Sequence, residues 1–465
     1  MHRVRIQSLA VVAGGLVGGC GSPAPTVDAE LGLRSSLVAS VPAPSGGDDT
    51  QALQAALEQC APGGDGCVVQ LGAGAYFTKQ LYVRDFHGAI RGAGMDATVI
   101  EALTPYDVGG PAHDPYDGTE PDPLLNPQPH VINLFGSSDV TMADLTLRVS
   151  DPVPVPEGFF YGDTVHFLKA EVAVTGSGRF YRVGFRGTSD PAAPVPINVD
   201  NGPQIIGSGP GDMIDIRACT FSGMGNGYEI ASMSRATITI GGSPAGGNSF
   251  EAGSNAGVFL GVDASRVEIS HNRSVESYAG NYWAILLIQN TRGYSYTAPS
   301  TFIIDHNKFS GYGYGMNGIF VLDRRGILDT PRTVDLVMTD NVVDIHEPEG
   351  GWSIVTMGLE DPLVARNRVT GEAAMGIVVS NTRRSGGLLQ ANNVAGLASE
   401  LPIVLAPDWL IGAPAMGVTV VGGDVRANVY DFGVDDVLVG VNNAGAGVGL
   451  AVSEAMRRKA ALVHD

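Results

Sequence analysis

The sequence predicts an all-β fold wound as a solenoid, and three observations predict it. Glycine supplies 64 of 465 residues without a Gly-X-Y period, which calls for many tight turns and therefore many short strands. A weak repeat, in which a strand ends in Asn-x-apolar or a near variant, runs nearly to the end of the chain. Hydrophobic residues make up 44% and charged ones only 16%, which excludes global disorder and a coiled coil. Length alone suggests two or three compact domains; a solenoid makes one long unit instead, growing by added coils.

The chain opens with a basic start, His2, Arg3 and Arg5, and an apolar stretch from Ile6 to Gly19. That stretch is too short to span a bilayer, and residues 1–19 read as an export signal. Val17-Gly18-Gly19-Cys20 resembles the lipobox of bacterial lipoproteins, which implies lipidation of Cys20 and a lipid-anchored protein at the outer membrane or cell surface. An ordinary cleaved signal with an incidental cysteine is the alternative. Residues 20–46, with Cys20 followed by a Ser-, Pro-, Ala- and Gly-rich run, read as a flexible tether. Export makes the remaining cysteines candidates for oxidation: Cys60 and Cys67 bracket a turn-rich loop and read as a disulfide. Cys219 sits in a strand pattern as a small buried residue.

Asp48-Asp49-Thr50 reads as the start of a short helix whose Leu53, Ala56 and Leu57 make one apolar face. Glycine-separated strands follow at once, and then the repeat. Its marks are Cys219-Thr-Phe221, Asn248-Ser-Phe250, Asn272-Arg-Ser274, Asn307-Lys-Phe309, Asn341-Val-Val343, Asn367-Arg-Val369, Asn392-Asn-Val394 and Asn428-Val-Tyr430. A second strand recurs as Gly257-Val-Phe-Leu, Ala284-Ile-Leu-Leu, Gly318-Ile-Phe-Val, Ser353-Ile-Val-Thr and Gly376-Ile-Val-Val. Units this small cannot bury an apolar face alone, so each must stack on its neighbours. An Asn at one corner of every coil can donate and accept along the stack. The last segment, 453–465, reads as an amphipathic helix that covers the open end.

This pattern resembles the right-handed parallel β-helix of the pectate-lyase superfamily, with its asparagine ladder. The resemblance covers roughly residues 47–430 and implies a β-helix over residues 47–452 with an N-terminal capping helix. In that family polysaccharide binds along one parallel sheet. If the Asn corner joins the second and third sheets, Gly-Ile-x-Val marks the first. Its outward positions, Leu286, Ile288, Phe320, Leu322, Val355, Met357, Val378 and Ser380, are nearly all apolar and call for a cover. Stretches 104–130 and 186–213 are the candidate covers.

The turns flanking that sheet carry the candidate substrate-binding residues: Tyr228, Glu229, Tyr282, Trp283, Tyr312, Tyr314, His346, Glu347, Glu349 and Trp352. Rings stack on the C–H faces of a sugar while carboxylates accept its hydroxyls; the same residues also serve to pack loops. On the exit side, Asp323, Arg324 and Arg325 are the candidate catalytic group of a lyase, which needs a base near calcium-bound carboxylates. Arg325, Glu360 and Arg383 can also form a surface ion-pair ladder or an arginine patch for an acidic sugar. Asp107, Asp114, Asp117, Glu120 and Asp122 are the oxygen donors available for Ca2+, in a Pro/Gly setting that reads first as a solvated loop.

A further row, His271, His306, Asp340 and Arg366 with Asp305 beside it, precedes the Asn corner and suits either acid–base work or plain hydrogen-bonded corners. No Asn-Thr-Asp, Gly-His-Gly or Arg-Ile-Lys series like that of the polygalacturonases is present. The formal charge of −20 speaks against nucleic acid as a partner unless a local basic patch intervenes. The reading is therefore an envelope lipoprotein that binds or degrades a polysaccharide, with a non-catalytic scaffold that presents its apolar first sheet to a partner as the alternative.

Overall fold

The computed structural model describes residues 37–60, 66–79, 81–103, 130–148, 167–187, 198–223, 228–251, 256–263, 265–275, 277–278, 283–289, 299–313, 315–323, 334–359, 361–380, 387–406, 419–421, 428–431, 437–439 and 442–443. They form a continuous parallel coil whose strands stack on three faces. Every strand pairing is parallel, and each coil pairs with the next, as in Phe302↔Leu336 and Ile304↔Met338. A parallel stack leaves side chains alternating in and out with period two, so each inward position becomes a column along the axis.

On the first face one column reads Val258, Ile285, Ile319, Ile354, Ile377 and Ile403. On the second it reads Ile216, Ile240, Ile269, Ile304, Met338, Val364 and Leu389. All of these are buried and belong to one core. Each such side chain contributes about 1.5–3 kcal/mol relative to exposure. On the third face Phe185, Phe221 and Phe250 stack with ring centroids 5.0 Å apart. The x-apolar half of the repeat is this inward column.

The sharp corner between second and third faces carries the ladder. Asn248, Asn272, Asn307, Asn341, Asn367 and Asn392 are buried, and each of the first five donates its Nδ2 to the Oδ1 of the next at 2.9–3.0 Å. The same amides donate to a carbonyl of the preceding coil, as Asn307 Nδ2 does to Ile269 O at 2.8 Å. Asn428 lies elsewhere. Its strand, Asn428–Asp431, pairs with Leu401–Ala406 on the first face, so the same triplet stands on another side of the coil.

At the N-terminal end the helix Thr50–Cys60 buries Leu53, Ala56, Leu57 and Cys60 within the common core. Asp48 Oδ1 accepts from Thr50 N at 2.9 Å and Asp49 O from Leu53 N at 3.1 Å. Cys60 and Cys67 form the disulfide, joining the helix to strand Cys67–Gln70. Leu37–Ser40, read from sequence as tether, is a strand paired with Cys67–Gln70; its buried Ala39 belongs to the first coil. Asn198–Ser208, inside the stretch read as a cover, is likewise a strand, paired with Phe167–Arg186 and Tyr228–Ser234. Residues 1–19, with Cys20, and 453–465 lie outside the described residues.

Candidate functional site

The outward face of the first sheet is apolar, as its register requires, and it is buried. Phe259, Trp283, Ile288, Phe320, Leu322, Trp352, Val355, Met357, Met375, Val378, Leu401 and Val404 form a second hydrophobic cluster. Trp283 and Trp352, expected to stack on sugars, are 5% and 1% exposed. Trp283 instead packs on Phe320 and edge-on to Trp352, with centroids 5.1 and 6.2 Å away.

Asp323 is 2% exposed at the end of strand Asn317–Asp323, in register with Gln289. Gln289 heads a buried polar corner: its Nε2 donates to Asp263 Oδ1 at 2.8 Å and its Oε1 accepts from Ser300 Oγ at 2.8 Å. Asp323 thus sits in an inward column and does not face an open groove. Glu347 is also buried and accepts from Gly315 N at 3.2 Å, which braces the corner entering the first sheet. Tyr282, Tyr314, Arg324, Arg325, Glu360, Arg383 and the acidic stretch 107–122 lie outside the described residues, as does the side chain of Glu229.

His346 is different. The expected turn at 346–352 is part of one strand, Val342–Met357, that runs from the third face to the first. Alternation along it turns Glu347 inward and His346 outward. His346 pairs in register with Tyr312 on one side and Glu372 on the other. All three are exposed, Tyr312 by 46%. Beside this column run Ser310, Asp344 and Thr370, with Thr370 Oγ1 donating to Asp344 Oδ1 at 2.7 Å. His346 Nε2 lies 3.6 Å from Asp344 Oδ1. Among the described residues, this part of the third face shows solvent a polar surface holding one large exposed ring, an imidazole, two carboxylates and two hydroxyls.

That surface adjoins the Asn corner. His271, His306, Asp340, Arg366 and Ala391 precede the ladder asparagines, all with φ between 54° and 59° except His306 at 53°. One left-handed residue is what turns the chain sharply there, a conformation open to His and Asp and costly for Arg and Ala. The His271 and His306 rings stack with centroids 5.0 Å apart. His306 Nδ1 lies 2.8 Å from Asp305 Oδ2. Arg366 donates to both oxygens of Asp340 at 2.9 and 2.6 Å, and this hydrogen-bonded guanidinium holds the Asp340 carboxyl below its usual range.

On the second face, Asp215 accepts from Tyr181 Oη and Arg217 Nε, both at 2.6 Å. Burial, then the bond to Asp215, pushes Tyr181 up to about 12, so this phenol stays protonated and serves as a structural donor. Among the described residues no group of three or more His, Cys, Asp or Glu is placed to hold a metal ion.

No family model matches the chain, nor does any curated protein. Among solved structures it is similar to the surface adhesin PfbA of Streptococcus pneumoniae, 12% identical, with a TM-score of 0.44 over 87% of this chain and 98% of that one. It is also similar to the A-module of the mannuronan C-5 epimerase AlgE6 of Azotobacter vinelandii, 14% identical, with a TM-score of 0.41 over 86% and 96%. A third is the catalytic unit of the GH87 α-1,3-glucanase of Streptomyces thermodiastaticus, 14% identical, with a TM-score of 0.33 over 88% and 70%. The chain is a parallel β-helix. No residue and no activity is carried across at these scores; the site rests on the chain's own geometry.

Proposed function

We propose that this β-helix binds a polysaccharide on the outer surface of its third face, centred on Tyr312 and His346. One observation carries the reading: an exposed aromatic ring stands in register with an imidazole and a carboxylate on a parallel sheet. The ring can stack on the apolar side of a pyranose, and Asp344, Glu372, Ser310 and Thr370 can take its hydroxyls. Regular rungs suit a polymer, since each coil repeats the same positions about 4.8 Å further on. The reading assigns no lyase chemistry, and the buried Asp323 gives it no support.

The disulfide Cys60–Cys67 supports an oxidising compartment, and we place the protein outside the cytoplasm, anchored through Cys20. The scaffold reading loses its motive, because the apolar first sheet is buried within the chain itself. The test is retention of the full chain on an array of neutral and acidic polysaccharides. Retention that falls at least about tenfold in Tyr312→Ala, a change worth roughly one stacked ring, is the expected result. No retention on any glycan overturns the reading.

A further inference from the structure

The Asn ladder has a basic edge on both of its sides. On four coils of the ladder the residues before and after the asparagine turn away from the core, because the asparagine between them turns inward; after Asn248 the flanking Ser249 is buried. Along the coils this reads His271-Asn272-Arg273, His306-Asn307-Lys308, Asp340-Asn341-Val342 and Arg366-Asn367-Arg368. Arg273 is in register with Lys308, Lys308 with Val342 and Val342 with Arg368. Six of the eight outward positions are basic or imidazole side chains, and they fall on four successive coils, a run of about 14 Å.

Two acids temper the strip. Asp340 is neutralised by the bidentate bond from Arg366, and Asp305 is engaged with His306. Arg273, Lys308 and Arg368 are exposed and have no acidic partner among the described residues. On a chain of net charge −20, three unpaired cations along one edge make the local potential there positive.

From this we infer that the corner strip is a binding site for an acidic polysaccharide lying along the coil axis, with its anionic groups on Arg273, Lys308 and Arg368. This rests on the glycan reading above and adds the charge class and the direction of the chain. The neighbouring column decides between polyanions. Asp344 and Glu372 lie on the same face, where they accept sugar hydroxyls but repel a phosphate backbone. An acidic sugar satisfies both columns at once, whereas a nucleic acid satisfies only one.

The test uses the full chain with dextran, dextran sulfate and oligo(dT) as probes, in parallel with the polysaccharide array. Dextran sulfate should bind more tightly than dextran, weaken as salt rises, and lose on the order of tenfold in affinity in the triple variant Arg273→Ala, Lys308→Ala, Arg368→Ala, if each exposed contact is worth that of a surface ion pair. All three side chains are exposed, so the variant should keep the wild-type melting temperature, and circular dichroism checks this. Array retention that is confined to neutral glycans, depends on Tyr312 and is unchanged in the triple variant overturns this inference and leaves the glycan reading standing. Failure to retain any glycan, sulfated or not, removes both. Oligo(dT) bound as tightly as dextran sulfate, with the same loss in the variant, overturns the assignment to sugar.

Discussion

The side-chain amide of Asn307 donates to Asn341 Oδ1 at 2.9 Å while its own oxygen accepts both the backbone N–H and the Nδ2 of Asn272, at 3.0 Å each. Asn307 Nδ2 reaches Ile269 O as well, so one buried side chain serves four groups. Replacing it with Leu, of similar reach but without polar atoms, takes the acceptor from the Asn272 backbone N–H and from one of the two Nδ2 protons of Asn272, whose other bond to Ile240 O remains, and takes a donor from Ile269 O. Since each buried orphan costs about 1–3 kcal/mol, Asn307→Leu should lose about 3 kcal/mol or more. A large drop in the urea midpoint checks this.

Cys219 occupies the ladder position one coil before Asn248 and donates only its backbone N to Asn248 Oδ1, at 2.9 Å. Its Sγ lies 3.5 Å from Phe180 O, the carbonyl that a ladder amide would reach, since Phe180 is in register with Ile216. Cys219→Asn should therefore extend the ladder by one rung. The gain is about 1 kcal/mol for bonds of this kind, read as a higher melting temperature. A destabilised variant would show that the ladder cannot grow toward the apolar positions Val183 and Leu145.

The same burial pushes the Cys219 thiol up to about 12. It should resist alkylation at pH 8 in the native protein, and react once urea opens the coils, because the thiolate is the nucleophile. Peptide mass spectrometry after iodoacetamide reads this at Cys219 alone.

Asp340, held low by Arg366, contributes stability that is present above its unfolded pKa and lost as pH falls through the lower folded value. Asp340→Asn keeps a side chain that tolerates φ of 58° while removing the charge. The variant should melt slightly below wild type at pH 7, by the small margin of an exposed ion pair, and match it once Asp340 of the wild type is protonated. Paired melting curves between pH 2 and 7 check the sign.

Ala391 adopts φ of 54° at the same corner, a conformation that costs an L-residue about 1–2 kcal/mol. Ala391→Gly removes that strain and gives back part of it through the freer unfolded chain, so a net gain of roughly 0.5 kcal/mol is expected. A thermal shift upward supports it.

The ladder and the apolar outward register of the first sheet were legible because each follows from one rule repeated: an amide that both donates and accepts, and side chains that alternate with period two. The site was less so. The stretch 346–352 reads as a turn flanking the first sheet, yet one strand, Val342–Met357, runs through it, and alternation then separates His346 from Glu347 by a whole sheet thickness. The row before the asparagines was visible in sequence, but its functional partner is the residue after each asparagine. That pairing matters only once the asparagine is seen to turn inward. Asn428 shows the opposite failure, a matching triplet that stands on another face.

The most direct measurement is hydroxyl-radical footprinting of the full chain with and without a polysaccharide that it retains. Ligand should protect Tyr312 and His346, with the Trp283 and Trp352 peptides unchanged because those rings are already buried. Protection confined to peptides flanking the first sheet, with Tyr312 and His346 as reactive as before, would contradict a glycan site on the third face.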